Sequence, residues 1–172
     1  MVANESNPLP PFRPHLDWRA YGIAALGGGL FTLLTGFLIS AITLGEPGIN
    51  LRVAASLFLG PEVIPATADS PLQVYLLGVL VHFLIAALYA LLVVLVIHRW
   101  GLIVGLIGGA LIGLAVYTIT IYALSYFIPW IFPLRSWMAT LNSLFLGGAI
   151  GVIYELFDSY DLPFPHTKSM EC

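Results

Sequence analysis

The feature that most limits what this 172-residue chain can become is the near-absence of charge over four long apolar stretches, 20–44, 72–97, 102–128 and 137–157. A helix rises about 1.5 Å per residue, so about 20 apolar residues cross a hydrocarbon core about 30 Å thick. All four stretches reach that length. A span through lipid must satisfy its backbone hydrogen bonds internally, and a helix does so. The fold class predicted is all-α: a polytopic membrane four-helix bundle.

Composition agrees. The chain is 59% hydrophobic and 9% charged, and its mean hydropathy is +0.97, far outside the range of soluble domains. Four spans leave little chain for a separate soluble domain. The expected organisation is one transmembrane domain, 20–157, between a Pro-rich tail, 1–19, and a short tail, 158–172. A net charge of −3 without any Lys/Arg cluster argues against a nucleic-acid partner and against a patch for anionic lipid. The single cysteine, Cys172, has no internal disulfide partner and does not fit a prenylation box. The first 19 residues lack the basic-then-apolar opening of a cleaved signal peptide, so the first span is expected to be retained.

The sparse basic residues give a topology. With four spans, Arg13, Arg19, Arg99 and Lys168 share one side, while Arg52 and Arg135 fall on the other. The positive-inside rule then places both termini in the cytoplasm. His98-Arg99-Trp100-Gly101 reads as a tight basic hairpin that makes the second and third spans antiparallel neighbours. Trp18, Tyr21, Trp100, Trp130 and Trp137 stand near span ends, where amphipathic rings settle between lipid tail and headgroup.

The connections on the far side differ from that hairpin. Residues 51–60, LRVAASLFLG, are too few to cross a bilayer and predict a short interfacial or re-entrant helix between spans one and two, closed by Gly60-Pro61. The Pro-bracketed segment from Pro129 to Arg135 should hug the surface, and the two together suggest a lid over that end. The pentapeptide SLFLG occurs at 56–60 and again at 143–147. In so apolar a chain it reads as coincidence or as the relic of a repeat.

Glycine marks where helices touch. Gly105, Gly109 and Gly113 recur at four-residue intervals in the third span, and Gly147 and Gly151 in the fourth. Small residues at that spacing share a helix face and let backbones approach closely. Their partners are expected either within this chain or in another subunit.

Among polar residues, His82 stands out because it lies well inside the second span, with Gly78, Ala86 and Ala90 on its side. It should face a helix contact rather than lipid. Three roles fit it: a neutral structural histidine, an axial ligand to haem or a chlorin, or a proton or substrate contact. Thr118, Tyr122, Ser125 and Tyr126 share a face of the third span, and Asn142 enters the fourth, so these residues and His82 are expected to form a polar cluster in the outer half of the bundle. Glu155 is the one carboxylate near a span interior and reads as a boundary ion pair or an exposed group. No second histidine lies deep in another span. No HExxH, GxSxG, CxxC or GxxxxGK[ST] occurs, and the scattered histidines do not build a metal site. No enzyme activity, metal or cofactor is expected, apart from the haem or chlorin alternative through His82.

The segments RVAASLFLGP at 52–61, Val81-His82-Phe83, Tyr89, His98-Arg99 and the third-span tyrosines carry a resemblance. Over 20–157 the chain resembles a group of small bacterial four-helix inner-membrane proteins, some labelled symporter-like, for which no activity is established. That resemblance implies the four-span architecture and a bacterial setting, and implies nothing about mechanism. Symporters have many more spans and broken helices.

The functional expectation is a non-catalytic accessory subunit of a larger inner-membrane complex, with respiratory or photosynthetic electron transfer as one host. Its partners would be the lipid bilayer and other membrane subunits, or further copies of itself. The alternatives are a small homo-oligomeric transporter or channel using the cluster around His82, and a haem- or chlorin-binding module through His82.

Overall fold

The computed structural model describes residues 16–65, 71–97 and 101–158. These residues form five α-helices and no strand: α1 Trp18–Leu44, α2 Ile49–Leu59, α3 Leu72–Val96, α4 Leu102–Phe127 and α5 Trp137–Phe157. Short 3-10 turns occupy Pro61–Val63 and Pro129–Leu134. Helices α1, α3, α4 and α5 are each long and apolar enough to cross a membrane. The expected hairpin turn at 98–100, and the tail residues Arg13, His15, His166, Lys168 and Cys172, lie outside the described residues.

Helix boundaries have local causes. The Asp17 carboxylate accepts the amides of Arg19 and Ala20 at 2.8 and 3.0 Å, so α1 begins two residues before its uncharged stretch. Gly45, at φ +70°, ends α1 in the left-handed conformation that glycine adopts without strain. Ser136 accepts the Ala139 amide at 3.3 Å and starts α5.

Helix α5 is the centre of the bundle and packs against α4, α1 and α3. Its contact with α4 is a seam of glycine on glycine. A methyl group at Gly109 would overlap the Gly147 carbonyl oxygen, and methyl groups at Gly147 and Gly151 would overlap the carbonyl oxygens of Gly109 and Gly105. Gly113 meets the Ser143 carbonyl in the same way. The two glycine ridges read from the sequence therefore face each other inside one chain. On its other flank α5 presses Ile150 against Gly28 of α1, where an added methyl would come within 2.5 Å of the Ile150 side chain. Ala20, Ala24, Ala86 and Ala90, all fully buried, let α1 and α3 close around this centre.

Helix α2 dips back into the bundle. After Gly45 the chain reverses along α1: the Ser40 hydroxyl donates to the Pro47 carbonyl at 3.2 Å, and Asn50 Nδ2 donates to the Gly36 carbonyl at 2.8 Å. Gly36 precedes the end of α1 by eight residues, about 12 Å along the axis. On the α3 side the Leu51 carbonyl abuts Gly78 too closely for any side chain there. The short helix expected between spans one and two is thus present, and it packs against α3 and α1.

The two connections expected to form a lid are anchored on different helices. Helix α2 is held by α3 and α1, whereas Pro129–Leu134 is held by α4. Ile131 is buried under that turn, and the Tyr117 hydroxyl donates to the Leu134 carbonyl at 2.6 Å. The SLFLG copies also differ in setting, one closing α2 and the other lying within α5.

Candidate functional site

His82 turns toward α1. Its Nε2–H donates to the Gly29 carbonyl oxygen at 2.9 Å, an oxygen that also receives the Thr32 hydroxyl at 3.2 Å. The approach depends on Gly29: a methyl group there would lie 2.9 Å from the Phe83 ring and 3.1 Å from Ala86 Cβ. A nitrogen that holds a donated proton cannot also bind a metal, so this arrangement leaves only Nδ1 for a ligand.

The rest of the expected cluster does not gather around His82. Helix α4 points Gly105, Gly109, Gly113 and Tyr117 at α5, and Thr118 begins a face about 100° round the helix. Thr118, Tyr122 and Tyr126 therefore look outward, with Tyr122 53% and Tyr126 82% exposed. The Thr118 hydroxyl is satisfied on its own helix by the Leu114 carbonyl at 2.8 Å. Ser125, expected on the same face, is buried instead; the glycine ridge decides which side of α4 turns to α5. Tyr122 has its own partner, the Arg135 guanidinium, stacked 4.2 Å from the ring centre.

Asn142 joins a different polar group, between α1, α2 and α5. Its Oδ1 accepts the Thr35 hydroxyl at 3.3 Å, and the side chain sits beside Gly36. There Asn50 reaches the Gly36 carbonyl and, at 3.5 Å, the Ser40 hydroxyl. Thr35, Ser40, Asn50 and Asn142 thus bring two amides and two hydroxyls together one to two turns below the end of α1. Asn50 carried no signal as a lone residue in a loop; its role depends on the chain reversal at Gly45.

Near this group lies a buried charge. Arg52, on α2, has a side chain 4% exposed and forms an ion pair through Nη2 with Glu46. Its Nε is buried with no hydrogen-bond partner. A buried guanidinium needs both charge and hydrogen-bond compensation, and here the compensation comes from one oxygen of a half-exposed carboxylate.

At the opposite end Glu155 is buried rather than exposed, and it accepts the Gly101 amide at 3.2 Å at the start of α4. The Tyr21 hydroxyl donates to the Ala87 carbonyl at 3.1 Å, clipping α1 to α3. In the interior between the two ends, the Tyr89 hydroxyl has the Ser143 side chain as its hydrogen-bonding neighbour.

Large apolar side chains are exposed on every long helix, a surface compatible with lipid contact. Between α1 and α4, over the back of α5, runs an open apolar groove of about 600 Å³ lined by Phe31, Leu106, Ala110, Phe145, Gly148 and Val152. Among the described residues no group of histidine, cysteine and acidic side chains is arranged to hold a metal ion. Comparison with protein-family models, with curated proteins and with solved structures found no match.

Proposed function

We propose that this chain is a non-catalytic accessory subunit of a larger assembly in a bacterial inner membrane, crossing four times with both termini in the cytoplasm. The observation that carries the reading is the one-sided packing of α4. That helix packs on α5 through a glycine edge, with smaller contacts to α3 and to the turn at Pro129–Leu134, and leaves Ile103, Ile107, Leu111 and Ile119 exposed beside the groove. Open, shallowly grooved apolar surface of this kind suits neighbouring transmembrane helices. A respiratory or photosynthetic electron-transfer complex is one host in which such a subunit would fill space around cofactors and lipids held by others.

Extraction in mild detergent followed by native electrophoresis tests this reading. The expected result is a band well above the mass of a few copies of the 18.6 kDa chain, with further subunits in it. A lone monomer or small homo-oligomer contradicts it.

A transporter or channel is the second reading, and one observation favours it: the amide and hydroxyl group of Thr35, Ser40, Asn50 and Asn142 opens a polar patch near one end of the bundle. In that case reconstituted protein should show a solute flux that Asn142→Ala reduces, and His82→Ala should leave it unchanged. The haem or chlorin alternative keeps only Nδ1 of His82 as a ligand. A visible absorption band on protein purified from native membranes would support it.

A further inference from the structure

We infer that Arg135 is the seat of a binding site for the phosphate group of a membrane phospholipid, whose acyl chains lie along the open flank of α4. The inference rests on the membrane reading above and is independent of the accessory-subunit role.

The guanidinium is held in one orientation by the protein. Its Nε donates to the Ser125 hydroxyl at 2.9 Å, and Nη2 donates to the same hydroxyl and to the Tyr122 carbonyl, the latter at 3.2 Å. The Tyr122 and Phe132 rings stack against it with centres 4.2 and 4.8 Å away. These contacts use two of its three nitrogens and leave Nη1 of this half-buried residue without a hydrogen-bond partner among the described residues. Every acceptor supplied is neutral, and among the described residues no carboxylate pairs with Arg135. The one other arginine at this end, Arg52, has Glu46. A planar, pre-oriented guanidinium with free donors is the chemistry that recognises a phosphate oxyanion.

The surroundings identify the source of that phosphate. Trp130, Phe132 and Trp137 are exposed around Arg135, and Tyr126 and Phe127 are exposed at the adjoining end of α4. Such an aromatic collar marks the level of lipid headgroups. Below it, the exposed Tyr122, Ile119 and Leu111 offer acyl chains a continuous path down α4. A single arginine, braced by Ser125, makes this site, with no basic cluster beside it among the described residues.

The test is native mass spectrometry of the full chain in detergent, titrated with phosphatidylglycerol. The unmodified chain should hold a single phospholipid, and Arg135→Gln should weaken retention about tenfold, the effect of losing roughly 1.4 kcal/mol from a charge-assisted hydrogen bond. Arg135→Lys, which keeps the charge and loses the fork, should fall between. Equal retention by Arg135→Gln overturns the proposal. So does Arg135-dependent binding of inorganic phosphate with no binding of phospholipid, which would assign the site to a free anion. Should Arg135→Gln fail to fold, a phospholipid with a photoreactive headgroup keeps the question open to refutation in the unmodified chain. Crosslinks should fall within 122–137, and crosslinks confined elsewhere contradict the site.

Discussion

Gly29 and His82 form the hydrogen-bonded contact that joins α1 to α3 at mid-bundle: the glycine carbonyl accepts the imidazole N–H at 2.9 Å because no side chain holds the helices apart. The pair turns an ionisable residue inside an apolar span into a satisfied one. It also explains why a histidine is tolerated here without a partner histidine in another helix.

Replacing His82 with Phe should therefore lower stability only modestly. Hydrogen bonds between transmembrane helices average about 0.6 kcal/mol and reach about 1.7. Unfolding in mixed micelles would measure this. A loss of some membrane activity with near-normal stability would instead make His82 a functional contact.

Gly109 and Gly147 are predicted to be the least tolerant positions in the bundle. Alanine at either meets a carbonyl oxygen of the facing helix, a backbone atom that cannot rotate away. Overpacking of this kind costs about 1–3 kcal/mol, and both substitutions should lower the unfolding midpoint. Gly22→Ala is the matched control: nothing lies within 4 Å of the added methyl, and the helix gains up to about 1 kcal/mol in propensity.

Glu46→Gln leaves the Arg52 guanidinium buried without a counter-charge. Because Glu46 is 44% exposed at its side chain, the cost should fall at about 1–3 kcal/mol, below that of a fully buried pair. The double variant Glu46→Gln/Arg52→Met, which removes the stranded charge, should recover most of the loss. Thermal unfolding of the single and double variants checks both statements.

Tyr117→Phe removes the hydroxyl that ties α4 to the Leu134 carbonyl. The expected cost is about 0.5–1.5 kcal/mol. Amide exchange should rise locally across 129–136 and stay unchanged in α2, which is held by other helices.

The elements were readable in the sequence for a simple reason: length and absence of charge specify a membrane-crossing helix almost without reference to its neighbours. The ends of α3, α4 and α5 fall within a residue of the apolar stretches, whereas α1 starts earlier because Asp17 caps it. The glycine ridges were equally visible, since their spacing is a property of one helix. What spacing does not encode is rotation about the helix axis. Thr118, Tyr122 and Tyr126 share a face, but that face points outward because the ridge ending at Tyr117 has the tighter fit to α5. The polar group of Asn50 and Asn142 was hidden for another reason: it depends on a chain reversal at Gly45 that brings together residues with no pattern of their own.

Four crossings put the turn after α2 and the C-terminus on opposite sides of the membrane, and sidedness of thiol labelling tests that arrangement directly. Cys172 is the only cysteine of the chain, so one set of cells carries it alone, and a second carries Glu62→Cys in a Cys172→Ser background. Glu62 is exposed in the turn after α2. With a membrane-impermeant maleimide, intact cells should label the Glu62→Cys protein and leave Cys172 unreactive until the membrane is opened. Reaction of both positions from the same side of the intact membrane would contradict the four-span bundle.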